Sequence, residues 1–307
     1  MELQSDPAAT ASPDRRAIVR ATLIGGVAVL LWASLPLLTT LAGAVPPLLL
    51  TALAFGVAFA VAVVKWLASG LDPRRQFAWP LTAWALGLAG LFGYHFCYFM
   101  ALRYAPAAEA TLINHLWPLL IVLFSAALPG ERLRWHHLIG AALGLLGVAV
   151  LVTDGGRVLF QTRYATGYIL ALGCALIWSA YSVLNRSLAR DVPSDAVGAF
   201  CAGTAVLALI GHLAFESTRW PQGGEWLAVL ALGAGPLGSA FLVWDYGCKH
   251  GDIRVLGSIA YLAPLLATSL LVVTGFAPAS WLLAIACLSI AGGAALASRD
   301  MLRRAPA

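Results

Sequence analysis

Residues 21–44 read Ala-Thr-Leu-Ile-Gly-Gly-Val-Ala-Val-Leu-Leu-Trp-Ala-Ser-Leu-Pro-Leu-Leu-Thr-Thr-Leu-Ala-Gly-Ala and hold no charged side chain. A bilayer core about 30 Å thick is crossed by roughly 20 apolar residues of helix, so this stretch alone is long enough to span one. Outward along the chain follow nine more of the same kind, at 46–64, 79–101, 107–128, 137–153, 166–185, 196–215, 226–247, 255–274 and 280–298. Across all 307 residues, 61% are hydrophobic and 11% charged, with mean hydropathy +0.85. A water-soluble domain carries about a quarter charged residues, and these runs lack the apolar–polar alternation of a lipid-facing barrel strand. The sequence therefore predicts an all-α membrane protein with ten transmembrane helices.

The polar positions organise those helices. Residues 1–20 and 299–307 are expected to be a disordered cytoplasmic N-terminus and a cytoplasmic C-terminus, and 154–165 a periplasmic linker. Arg15, Arg16 and Arg20 ahead of an apolar run resemble a signal peptide, but the run exceeds a typical h-region and further spans follow. With the N-terminus inside, the basic residues concentrate on cytoplasmic segments, and those left outside are Arg103, Arg157, Arg163 and Arg219. Such a bias places both termini in the cytoplasm. The formal charge of +5 is thus a topology signal; no basic-aromatic surface points to nucleic acid.

Sliding the chain on itself by 146 residues aligns Trp32 with Trp178, Gly87 with Gly233, Arg103 with Lys249, Pro118 with Pro264, Trp135 with Trp281 and Gly147 with Gly293. One constant offset from first helix to last argues for duplication. The repeats are 21–153 and 166–298. Each holds five spans, an odd number, so the second must enter the membrane upside down. Inverted-topology repeats of this kind build secondary transporters, with the site between the halves near the midplane.

The same residues carry a family resemblance. Ala101-Leu-Arg-Tyr-Ala-Pro-Ala-Ala-Glu-Ala-Thr-Leu-Ile-Asn-His-Leu-Trp-Pro-Leu-Leu120, then Gly130-Glu131-Arg132-Leu133 and Gly140, Gly144 and Gly147, resembles the EamA-type signature of the drug/metabolite transporter superfamily. Leu31-Trp32-Ala33, Ile177-Trp178-Ser179 and Tyr261-Leu-Ala-Pro264 are similar to its repeated motifs. The second half departs from the pattern in lacking the Gly-Glu turn, reading Gly275-Phe-Ala-Pro instead. Gly93-Tyr-His-Phe-Cys-Tyr98 and Asn114-His-Leu-Trp117 look most like the YddG-type aromatic amino acid exporters of that superfamily. The resemblance implies ten helices in two inverted halves and export of small metabolites.

Where the site should lie follows from misplaced polarity. Trp66, Trp79, Trp84, Trp135, Trp220, Trp226, Trp244 and Trp281 fall near span ends, where indoles anchor at headgroups. Trp32, Trp117 and Trp178 do not, and an indole N–H has no partner in lipid, so these three should face the bundle interior, in a pocket or as hydrogen-bonded core. Helical spacing joins Asn114 to Trp117, Trp178 to Tyr181, His95 to Tyr98 and Ser258 to Tyr261. These eight residues are the expected substrate-binding set, suited to an apolar or aromatic body with a polar head. Tyr98 and its repeat mate Trp244 are candidate outer and inner gates. Pro118 and Pro264, which remove the donor of an i to i−4 bond, are candidate hinges; Pro36 and Pro236 also fall within spans.

Titratable groups bear on coupling. No carboxylate lies mid-span; Glu109 and Asp245 sit near span ends, where pairing with Arg103 and Lys249 is the simplest expectation. His95 and His115 are the protonatable candidates. Small residues on spans five and ten, including Gly140, Gly144, Gly147 and Ala291–Gly293, favour close helix approach. Cys97, Cys174, Cys201, Cys248 and Cys287 show no metal or disulfide spacing, and the adjacent His136 and His137 have no further ligand nearby. No catalytic set, metal site or cofactor motif is read, and no phosphate loop. The expectation is an inner-membrane secondary transporter working by alternating access, exporting aromatic and other apolar amino acids without strict proton coupling. Export of another metabolite or a drug-like cation is the alternative, and a membrane-embedded enzyme on a lipid-soluble substrate the alternative of another class. The expected partners are the substrate and membrane lipids; the oligomeric state stays open, a monomer being compatible.

Overall fold

The computed structural model describes residues 15–129, 132–153, 156, 160–276, 280–297 and 299, and the described residues contain helices and connections but no strand. Nine segments among them are long and apolar enough to cross a membrane: Arg15–Leu41, Pro47–Ala68, Leu81–Tyr104, Ala107–Ser125, Trp135–Thr153, Thr162–Leu188, Ser194–Phe215, Glu225–His250 and Ile253–Val273. A tenth apolar helix, Trp281–Ala297, is shorter. Each overlies one expected stretch. The first begins at Arg15, so residues 15–20 extend span one into the basic segment instead of forming part of a disordered tail. Residues 1–14 and 300–307, the Gly130-Glu131 turn and part of the 154–165 linker lie outside the described residues; the linker's end folds as a short 3-10 turn at Thr162–Tyr164.

The inverted repeat is visible in which helices touch. Spans five and ten lie side by side, Gly140 against the backbone of Gly293 and Gly147 against Ile290 and the carbonyl of Ala286. The offset of 146 converts Gly140 to Ala286 and Gly147 to Gly293, so each contact becomes the other. A two-fold axis does this, and with five spans per half it must lie in the membrane plane. The cross-pairs obey the same rule. Span one meets span eight at Gly25 and Gly247, each Cα only 2.6–2.8 Å from where the other's Cβ would be; the mates, Ala171 and Ala101, share a buried cluster between spans six and three. Small residues are needed because helix association in lipid gains from close backbone approach, not from expelling water.

Irregular turns recur at equivalent places. Spans three and eight each contain a π-helical turn, Ala89–Gly93 and Gly235–Ser239. Spans four and nine are each two helices in series, Ala107–Asn114 then Trp117–Ser125, and Ile253–Ile259 then Leu262–Val273. Pro118 and Pro264 stand in the first turn of the second pieces, where a missing N–H costs least. Span one breaks the symmetry: it divides at Ser34 into Arg15–Ala33 and Leu35–Leu41, with Pro36 just past the break, whereas span six runs unbroken over Ala165–Leu188.

Candidate functional site

Three indoles meet at the centre of the bundle. Trp32, Trp117 and Trp178 contact one another pairwise, with ring centroids 5.7–6.2 Å apart and planes at 77–89°. Three mutually perpendicular edge-to-face rings form a corner, the arrangement aromatic quadrupoles favour. From that corner a cavity of about 350 Å³ extends past Leu35 and Pro36 of span one, Tyr98 of span three, and Thr268 and Leu271 of span nine. It therefore reaches toward the end of the bundle where spans one, five and nine finish, at Leu41, Thr153 and Val273.

The polar groups on its wall come mostly from spans three and four. Asn114 Nδ2 donates to the Tyr94 hydroxyl at 3.1 Å, and the Tyr98 and Thr111 hydroxyls share a hydrogen bond of 3.2 Å. His95 Nδ1 lies 2.6 Å from the Leu91 carbonyl and His115 Nδ1 2.7 Å from the Thr111 carbonyl. A carbonyl can only accept, so each Nδ1 carries a proton, and in the neutral imidazole each Nε2, which has no described partner, is an acceptor. Trp32 Nε1 donates to the Pro236 carbonyl at 3.1 Å, while the Nε1 groups of Trp117 and Trp178 bond to no described residue. Among the described residues, no formally charged side chain lines the cavity.

The opposite end is closed. Trp244 packs 5.0 Å from Trp32 and stacks on Trp178 at 6.2 Å, fully buried, with Nε1 donating to Ser182 Oγ at 3.1 Å. Beyond it Lys249 Nζ is 2.9 Å from Asp245 Oδ2 and 2.7 Å from the Val192 carbonyl, and Asn185 donates to the other Asp245 oxygen. Asp245 is 1% exposed and Lys249 6%. This ion pair is the one expected from the spacing. Glu109 differs: its carboxylate accepts from the Tyr168 hydroxyl at 3.1 Å, and that bond, not one to Arg103, is its partner. Trp66 is also fully buried, with Nε1 on the Asp195 carbonyl, so it is no headgroup anchor.

Of the eight expected binding residues, His95, Tyr98, Asn114, Trp117 and Trp178 line the cavity, and Tyr181, Ser258 and Tyr261 do not. Tyr181 fills the closed end, tilted on Trp178 and pressed against Gly90. The Ser258 hydroxyl returns to the Arg254 carbonyl of its own helix, and the Tyr261 ring lies against Gly144 of span five in a separate core cluster. The break at Ala260 and Tyr261 explains this pair, because helical spacing counted across a break does not keep two residues on one face. Tyr94, Thr111, Phe241 and Thr268 line the cavity unforeseen, and His115 does so where the sequence suggested only protonation. Tyr94 was readable as the residue four before Tyr98; its rings stack at 6.3 Å with Tyr98. Pro264 lines the cavity, whereas Pro118 is buried behind it.

Two stretches, residues 20–153 and 165–299, each match the family model described as the EamA-like transporter family. The chain belongs to the EamA-like transporter family. Its two matched stretches coincide with the two halves exchanged by the two-fold axis. The chain is 55% identical over 281 residues to the aromatic amino acid exporter YddG of Ancylobacter novellus, covering 91% of this chain and 96% of that one. It is 28% identical over 216 residues to the protein of the same name in Escherichia coli, covering 66% and 72%, and 25% identical over 262 residues to that of Salmonella typhimurium, covering 82% and 87%. A solved crystal structure with 54% sequence identity superposes with a TM-score of 0.86, covering 91% of this chain and 98% of that one.

Proposed function

We propose that this EamA-family chain is an inner-membrane secondary transporter exporting aromatic and other apolar amino acids by alternating access between its two halves. The observation that carries the reading is the cavity itself: three perpendicular indoles, acceptors on His95 and His115, donors on Trp117, Trp178 and the Tyr94 hydroxyl, and no fixed charge among the described lining residues. A zwitterion with an apolar side chain brings its own compensating charges and needs such a wall; a phosphorylated metabolite would need fixed cations. The exporters named among its relatives support the same substrate class.

With both termini in the cytoplasm, the open end of the cavity faces the periplasm. Trp32, Trp178, Trp244 and the Asp245–Lys249 pair then form the closed cytoplasmic gate, and Tyr98, the mate of Trp244, borders the open mouth. Closing the outer half about the breaks beside Pro118 and Pro264 while the inner half parts would move the opening to the other side. Coupling to protons is not required: among the described residues no carboxylate borders the cavity, and Asp245 is sealed behind the indoles in an ion pair.

Uptake of labelled phenylalanine, tryptophan, threonine, a quaternary ammonium drug and uridine into proteoliposomes, with and without a pH gradient, tests this. Saturable amino acid flux unaffected by the gradient is expected. Flux of only the drug or nucleoside would refute the substrate class, and strict dependence on the gradient would refute the uncoupled mechanism.

A further inference from the structure

We propose that the cytoplasm-open state binds substrate through a second set of side chains, buried in the present state, in which the hydroxyls of Tyr181 and Tyr261 replace the polar groups of spans three and four. The inference deepens the alternating-access reading above and rests on it. Where two inverted halves exchange conformations, each residue takes up the surroundings its mate has now. The offset of 146 therefore converts the present cavity wall into the wall of the opposite state. Three pairs of mates map onto each other within the wall: Trp32 with Trp178, His95 with Phe241, and Trp117 with Ala263. These six form the midplane portion, which faces substrate in both states.

Every other lining residue has its mate off the wall, and every such mate among the described residues is buried. The exchange changes the chemistry. Asn114 gives way to Ala260, Thr111 to Gly257 and Tyr94 to Ala240, so an amide and two hydroxyls are lost. In their place Leu35 gives way to Tyr181, Pro36 to Ser182 and His115 to Tyr261. In the present state Tyr181 is 3% exposed and Tyr261 0%, and both hydroxyls are buried atoms with no hydrogen-bond partner among the described residues. An unpaired buried hydroxyl is destabilising, and few persist in a folded protein without a use elsewhere in its cycle. Both of these lie at positions that the two-fold axis brings to the wall. There a phenol can donate to the carboxylate of an amino acid or accept from its ammonium group. Substrate is thus received from the cytoplasm by two phenols and released to the periplasm past the Asn114 amide and the His115 imidazole.

Two measurements test this. In a chain whose five native cysteines are replaced by alanine, Ser182→Cys should react with a membrane-impermeant thiosulfonate in inverted vesicles but not in intact cells, and phenylalanine should slow the reaction. Thr268→Cys, on the present wall, should react from the periplasm alone. Tyr261→Phe, made in the native chain, separates a binding role from a packing one because it removes only the orphaned hydroxyl. The present state is relieved of an unpaired group while the cytoplasm-open complex loses a contact. The unfolding temperature in detergent should therefore stay level or rise while phenylalanine counterflow in proteoliposomes falls by about three- to tenfold. A tyrosine with a packing role alone would lose stability and transport together. A Ser182→Cys protein that carries phenylalanine yet reacts from neither side, or from the periplasm alone, would overturn the inference and leave amino acid transport intact, as would wild-type counterflow in Tyr261→Phe. Absence of phenylalanine counterflow in the wild type would overturn the underlying substrate reading as well.

Discussion

Trp117 and Trp178 differ from Trp32 and Trp244 in one respect that decides their roles: the latter pair spend their N–H groups on the protein and the former do not. Trp178→Phe, which keeps a ring but loses the donor, should raise the half-saturation concentration for phenylalanine a few-fold, since a neutral hydrogen bond is worth about 1 kcal/mol. Trp117→Ala also loses three edge-to-face contacts, to Trp32, Trp178 and Trp244, and should lower transport efficiency by tenfold or more, each such pair adding about 0.5–1.5 kcal/mol. Initial rates in proteoliposomes, with reconstitution checked by gel filtration, measure both; wild-type kinetics in both variants would remove these residues from the site. Lys249 belongs to the gate, and its prediction concerns stability. Lys249→Met leaves the buried Asp245 carboxylate unpaired and should cost about 3–5 kcal/mol, with Asp245→Asn in the same chain recovering much of it. Thermal unfolding in detergent should order the proteins wild type, double variant, single variant. At this scale the sequence was legible in part. Trp32, Trp117 and Trp178 stood out because an indole deep in a span needs an internal partner. Tyr181 and Tyr261 looked equivalent to them, but their rings fill packing gaps against Gly90 and Gly144, and a residue's spacing does not reveal whether its neighbour across the bundle is a void or a glycine.

At the scale of helices, the positions of irregular turns separate what can be read locally from what cannot. Pro118 and Pro264 announce interruptions in spans four and nine, and both occur. The π turn at Gly235–Ser239 contains Pro236, which marks an interruption but not its π geometry, and the one at Ala89–Gly93 has no such marker, because π geometry is imposed where a helix must re-phase to present a face to its neighbours. Those turns put Tyr94 and Phe241 into the cavity wall, which is why residues on spans three and eight were hard to place from period alone. Close helix contacts can be tested directly. At Gly140 a Cβ would collide with the Gly293 backbone, which cannot move aside, whereas at Gly292 nothing lies within reach. Gly140→Ala should therefore lower the unfolding temperature, and Gly292→Ala should leave it unchanged or raise it, alanine being favoured over glycine in a helix by up to about 1 kcal/mol. Equal effects at the two sites would contradict the packing of span five on span ten.

For the whole molecule, orientation and state are separate questions. The distribution of Lys and Arg predicts that Ser69→Cys labels only from the cytoplasmic side and Thr162→Cys only from the periplasm, both positions being exposed; membrane-impermeant maleimide on intact cells against inverted vesicles reads this out. Labelling on the reverse sides would turn the cavity mouth toward the cytoplasm. The sequence by itself determined the membrane location, the ten spans and the inverted repeat, because hydropathy, charge bias and a constant offset are sums along the chain that do not depend on which helix lies beside which. The tertiary structure alone decided which polar faces converge, because that depends on contacts between residues far apart in sequence. Span one bends at Ser34 where span six runs straight, and the buried Asp245–Lys249 pair has Phe99 and Arg103 as its mates across the axis. Two nearly equivalent halves thus close one end of the bundle and leave the other open, an asymmetry that arises only when the halves pack against each other.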